Sequence, residues 1–227
     1  MANQLIIKVS LLLFFTNSSF ANADSSLLPM YGGEDRKNNV EILKKDNEFI
    51  VKSTRSYSSR EHAAEGYVER GFEMYSQNNF DKAMQRFNQA WLLNPDNAYI
   101  YLGYGLLYNN EKKPCMAVTM FMQAHKKGLE ESGFISDYAY TTTNCALSKE
   151  TQLQKELFND ANDLHEQSSH SPIKALQAYA YHLWAKSYFL QNDFSNSQKM
   201  LETSKNLGGN TDAQFEQSLK EKLMEPK

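Results

Sequence analysis

Long apolar runs are scarce in this chain of 227 residues. The most apolar stretch, residues 9–15 with one interruption at Ser10, covers about a third of the roughly 20 residues that a bilayer-spanning helix needs. A membrane-spanning protein is therefore not expected. Basic charge is not in excess either: 24 Lys and Arg stand against 27 Asp and Glu, a formal net charge of −3. Nucleic acid wants a basic face, so no nucleic-acid partner is expected. Cysteine occurs only at Cys115 and Cys145. With none following the apolar run, a bacterial lipoprotein anchor is not indicated. No Asn-x-Ser/Thr triplet lies beyond residue 23, which is compatible with a bacterial source.

Catalytic signatures are missing as well. No Ser, Cys or Asp sits in a nucleophile motif, and no carboxylate pair can be placed in a pocket from the sequence. His165 and His170 are five residues apart with Pro172 just beyond, so they do not share a helix face as metal ligands separated by four would. His62, His125 and His182 stand alone, and all five are read as solvated or hydrogen-bonded. Gly103-Tyr104-Gly105 is half of a dinucleotide fingerprint, without the strand that should precede it. No enzyme activity, cofactor or metal is expected.

What is there begins with a secretory signal. Lys8, the apolar stretch 9–15 and a polar segment ending Ala21-Asn22-Ala23 form a signal peptide with a small-x-small cleavage site. Cleavage after Ala23 leaves residues 24–227. Lys8 goes with the signal, so 23 basic residues face 27 acidic ones and the net charge becomes −4. Residues 24–39 are polar and turn-rich around an apolar island at residues 27–31, and Pro29, Gly32 and Gly33 argue against a helix there. Val40, Ile42, Leu43, Phe49, Ile50 and Val51 return with partly helical spacing, and Ser58-Ser59 with Glu61 marks the next helix start.

A pattern of 34 residues then occupies residues 64–97 and returns at residues 98–131. Tyr67, Gly71, Ala83, Phe87 and Ala90 recur at the same offsets as Tyr101, Gly105, Ala117, Phe121 and Ala124. Residues 132–166 keep the rhythm with Tyr138 and Ala139 and lose the second half of the pattern. Residues 178–211 restore it with Tyr181, Ala185, Tyr188, Leu201 and Ser204. This period and its small/aromatic alternation resemble the tetratricopeptide repeat.

The resemblance implies an all-α, right-handed α-solenoid of about four helix pairs over residues 61–209. An irregular segment with one helix (24–60) would precede it, and a capping helix and tail (210–227) would close it. The small residues Gly71 and Gly105 would stand where paired helices come closest, facing Ala83 and Ala117. Phe87 and Phe121 would fill the space between repeats. Asn78-Asn79 and Asn109-Asn110 are read as the turns inside the first two pairs, and residues 168–172 as a loop. Met116, Met120 and Met122 are read as core filling.

Proteins that resemble this family bind a peptide on the face lined by their first helices. Carried onto this sequence, that face carries Glu65, Val68, Phe72 and Tyr75, then Tyr99, Leu102, Leu106 and Asn109, then Tyr179, His182, Lys186 and Phe189. Lys, Arg and Asn grip a C-terminal carboxylate in one subset of the family. Only Asn109 and Lys186 are of those types here, so the expected groove is apolar. Its occupant is open at this point: residues 27–31 or the helix before Tyr57, a partner protein or peptide, or a second copy in a homodimer. The family's repeat geometry also brings the start of one second helix beside the end of the next first helix, which implies a Cys115–Cys145 disulfide in an oxidising compartment. The expected role is an adaptor of the cell envelope, periplasmic or secreted. The alternatives are an effector released onto a host protein and a non-catalytic subunit of an envelope enzyme complex.

Overall fold

The computed structural model describes residues 24–210 and 212–225; the signal-peptide reading concerns residues outside these. The described residues form two short 3-10 turns, Ser25–Leu27 and Pro29–Gly33, followed by α-helices without a strand. The helices are α1 Val40–Thr54, α2 Arg60–Ser76, α3 Phe80–Leu93, α4 Ala98–Asn110, α5 Pro114–Lys126, α6 Ser132–Ala146, α7 Thr151–Ser169, α8 Lys174–Leu190, α9 Phe194–Asn206 and α10 Ala213–Met224. The pairs α2/α3, α4/α5, α6/α7 and α8/α9 pack as antiparallel hairpins, each against the next, in an all-α solenoid-like arrangement.

Local chemistry sets the helix ends. The side chains of Asn39, Ser59, Asn97, Asp193 and Asp212 accept from backbone amides of the first turns they precede, satisfying donors that a helix start leaves free. Pro114 opens α5, where its missing N–H is no loss. Inside three of the hairpins the turn is made by one left-handed residue, Asn78, Lys112 or Asn192, with φ of 58°, 59° and 61°. Asn78 and Lys112 are 34 positions apart, and Asn192 follows Lys112 at the interval that separates Tyr181 from Tyr101. The next amide reaches back across the turn in each case, from Asn79 to the Met74 carbonyl, Lys113 to Tyr108 and Asp193 to Tyr188. The second turn therefore falls on Lys112 and not on Asn109-Asn110, which complete α4.

The glycines of the pattern serve aromatic packing. A Cβ on Gly71 would strike the Phe87 ring, and so would one on Gly103; a Cβ on Gly105 would strike Phe121. The group nearest to Gly71 is thus the Phe87 ring. Phe87 and Phe121 are fully buried, each contributing about 1.5–3 kcal/mol by removal from water. Phe87 also meets Phe72 and Tyr104 edge-on, at centroid distances of 5.1 and 6.1 Å. Where the last pair replaces Ala by Ser, the hydroxyl is satisfied across the hairpin: Ser197 Oγ donates to the Ala185 carbonyl at 2.8 Å and Ser204 Oγ to that of Ala178 at 2.7 Å.

Two readings of the sequence need correction here. Ser168 and Ser169 belong to α7, because this helix runs two turns longer than its counterpart α5, and the connection shrinks to residues 170–173. Met120 is buried but Met116 is 46 % exposed, since it lies on the outer side of the first turn of α5. The Cys115–Cys145 disulfide is present with a Cα–Cα distance of 4.7 Å, tying the start of α5 to the end of α6. No described helix is long and apolar enough to cross a membrane.

The two ends of the array differ. α1 packs on α2 and α3, with the Phe49 ring edge-on to Tyr67 at 5.4 Å and Ser53 Oγ 3.2 Å from the Tyr67 hydroxyl. At the other end Phe215 and Leu219 of α10 are buried against Ala185, Met200 and Leu201. Leu223 remains 42 % exposed, so the final turn of α10 overhangs the core.

Candidate binding face

The first helices of the pairs lie side by side. α2 meets α4 directly. Asn109 Nδ2 on α4 donates to Thr141 Oγ1 on α6 at 2.9 Å, and the Tyr179 hydroxyl on α8 donates to Asp137 Oδ1 on α6 at 2.5 Å. The Tyr99 hydroxyl on α4 donates to Glu131 Oε1, just before α6, at 2.7 Å. Burial, and second to it the Asp137 carboxylate of α6, raises the pKa of Tyr75 on α2.

The residues expected on this face divide into four groups, and Glu65 falls in the exposed one. Tyr99 and Tyr179 are exposed, at 43 % and 39 %. Phe72, Tyr75, Leu102, Leu106 and Asn109 are half-buried. Val68 is buried and belongs to the core. His182 and Phe189 are drawn under α10, where the Phe215 ring meets them at 6.0 and 5.6 Å. Lys186 is held there too, with its ammonium 3.3 Å from Asp212 Oδ2 and 5.6 Å from the Phe215 ring centre. The uncovered part of the face is therefore centred on α2, α4 and α6.

The two internal candidates pack elsewhere: α1 sets Phe49 and Ile50 against Ala63, Ala64 and Leu93. Residues 25–33 pack against α3, a second helix, on the other side of the array. Asn88 Nδ2 donates to the carbonyls of Ser26 and Leu28, both at 2.9 Å. The Tyr104 hydroxyl donates to Asn88 Oδ1 at 2.6 Å and accepts from the Met30 amide at 3.3 Å. Pro29 is buried, and Met30 packs on the main core. Arg36 stacks on the Tyr31 ring at 3.8 Å and forks onto both Asp46 oxygens, so the segment is also fastened to α1. The apolar island fills a gap between helices; it does not fill the expected groove.

The third pair supplies residues that the sequence reading left out. Glu131, Asp137 and Thr141 all meet side chains of the face. Asp137 stands 34 residues after Gly103 and 68 after Glu69, an offset outside the expected face, so the period did not point to it. Its carboxyl is raised by burial, with the Tyr179 donor pulling the other way. Tyr179 is raised in turn by burial first and by Asp137 second.

Behind the face lies a small polar cluster. His165 is fully buried and stacked on Trp184 at 5.9 Å, its Nε2 2.7 Å from Ser187 Oγ, which is 3.1 Å from Thr143 Oγ1. Nδ1 has no partner, and burial pushes the imidazole down to about 3. This neutral histidine, shut from solvent, positions Ser187. The other histidines are apart from it: His62 pairs with Ser58, while His125 and His170 bond backbone carbonyls. No protein-family model matches this chain, and no curated protein is significantly similar to it.

Proposed function

We propose that this chain is an exported scaffold of the tetratricopeptide type that holds a segment of another protein on the face formed by α2, α4 and α6. The observation that carries this reading is the uncovered row of half-buried aromatic and aliphatic side chains Phe72, Tyr75, Leu102 and Leu106 beside exposed Tyr99. Such a patch marks an interaction surface when nothing in the same chain hides it, and residues 25–33 are engaged elsewhere. The disulfide supports an oxidising compartment, in keeping with a cell-envelope or secreted location. A non-enzymatic role is part of this reading: His165 is shut away from solvent, and Tyr101 and Tyr108 are raised chiefly by burial.

Photo-crosslinking tests the assignment. A photoreactive residue at Leu106 should give adducts with a discrete protein in the cell envelope, and one at Lys82 on α3 should give none. Adducts from Lys82 alone would reject the face, and adducts that contain only this chain would identify a homodimer.

A further inference from the structure

The partner's chemistry is written in the charges around the face. Glu65 and Glu69 are exposed one turn apart on α2, three to seven residues from Phe72 on the same side of the helix, and neither has an ion-pair partner among the described residues. Like charges at this spacing oppose the helix. Glu131 and Asp137 each take one phenolic hydrogen bond, from Tyr99 and Tyr179, and no cation. Among the described residues of the face Lys186 is the one base, and Asp212 already neutralises it. The half-buried Asp137 and the exposed Glu131, each beside a tyrosine ring, favour a cation twice over, through direct pairing and through the ring's negative face.

We infer that the occupant of the α2–α4–α6 face is a protein segment in which Lys or Arg alternates with aliphatic or aromatic residues, its basic groups meeting Glu65, Glu69, Glu131 and Asp137 and its apolar groups meeting Phe72, Leu102 and Leu106. This rests on the docking role proposed above and adds the sign of the partner. It also sets the site apart from carboxylate-gripping faces, which need the opposite charge.

Fluorescence anisotropy with three labelled peptides of equal length tests the inference on the full mature chain. One peptide alternates Lys and Arg with Leu, one carries Gln in place of the bases, and one carries Glu. The basic peptide should bind, more weakly as salt rises, and Asp137→Asn and Glu131→Gln should each lower its affinity about tenfold. Lys82→Gln on α3 should leave it unchanged, and circular dichroism should show all variants folded. Equal binding of the Gln peptide, abolished by Leu106→Asp, would overturn the cationic preference and leave the docking face standing. Tighter binding of the Glu peptide, or no binding of any, would overturn the inference; in the latter case crosslinks from Leu106 decide whether the docking role falls with it.

Discussion

Replacing His165 by Gln should make the fold less sensitive to acid. The imidazole is fully buried, pairs with Ser187 through Nε2 and leaves Nδ1 bare, so protonation would add a charge and an N–H with no acceptor. Burial lowers its pKa from 6.5 to about 3. Between those values the unfolded chain binds the proton and the folded chain does not, so stability present above about pH 6.5 declines as the pH falls and reaches its floor near pH 3. From this difference the loss is about 2 kcal/mol at pH 5 and approaches about 5 kcal/mol below pH 3. Urea denaturation followed by circular dichroism, at about pH 7.5 and pH 5, measures it. The native chain should lose about 2 kcal/mol more than His165→Gln between the two, since His182 and the raised carboxyls Asp137 and Asp160 titrate in both proteins. Equal losses in the two proteins would refute the reasoning.

Other consequences can be checked on the same material. Phe87→Ala should cost about 3–5 kcal/mol in urea denaturation, because the ring fills the space between Gly71 and Gly103; a cost below about 1 kcal/mol would mean the helices collapse onto the gap. Gly103→Ala should destabilise by about 1–3 kcal/mol through overpacking against the same ring, whereas an unchanged midpoint would show that Phe87 yields. Reducing the Cys115–Cys145 bond, which closes a loop over a separation of 30 residues, should lower stability by about 3–4 kcal/mol on the chain-entropy estimate; equal midpoints with and without reductant would contradict it. Asn88→Ala removes both donors that hold the Ser26 and Leu28 carbonyls, so limited proteolysis within residues 24–39 should accelerate while the helical core resists; unchanged cleavage would place the anchoring elsewhere.

The parts of this fold that were legible in the sequence are those imposed by near neighbours or by the period. Gly71, Phe87 and Gly105 announce close helix contacts because a side chain of another size would not fit. Pairing of Cys115 with Cys145 follows once helix pairs are stacked in order. What stayed hidden depends on distant partners. Nothing near Asn88 in sequence tells that it anchors residues 60 and 62 positions earlier, and Leu28-Pro29-Met30 reads as well for groove filling as for the back of α3. His165 is enclosed by Ser187 and Trp184 from α8, so its burial cannot be seen from α7 alone. Asp137 escaped because its period mates, Glu69 and Gly103, fall at an offset the expected face does not include. The turn at Lys112 escaped because helix-stopping geometry there is set by position in the period, while Asn109-Asn110 offered a better turn composition.

Hydrogen-exchange protection measures directly which side of the array binds. On addition of the Lys/Arg–Leu peptide, backbone amides of α2, α4 and α6 should exchange more slowly, with α3, α5 and α9 unchanged. Protection confined to α3, α5 or α1 would place the binding surface on the opposite side or at the end of the array and contradict the account.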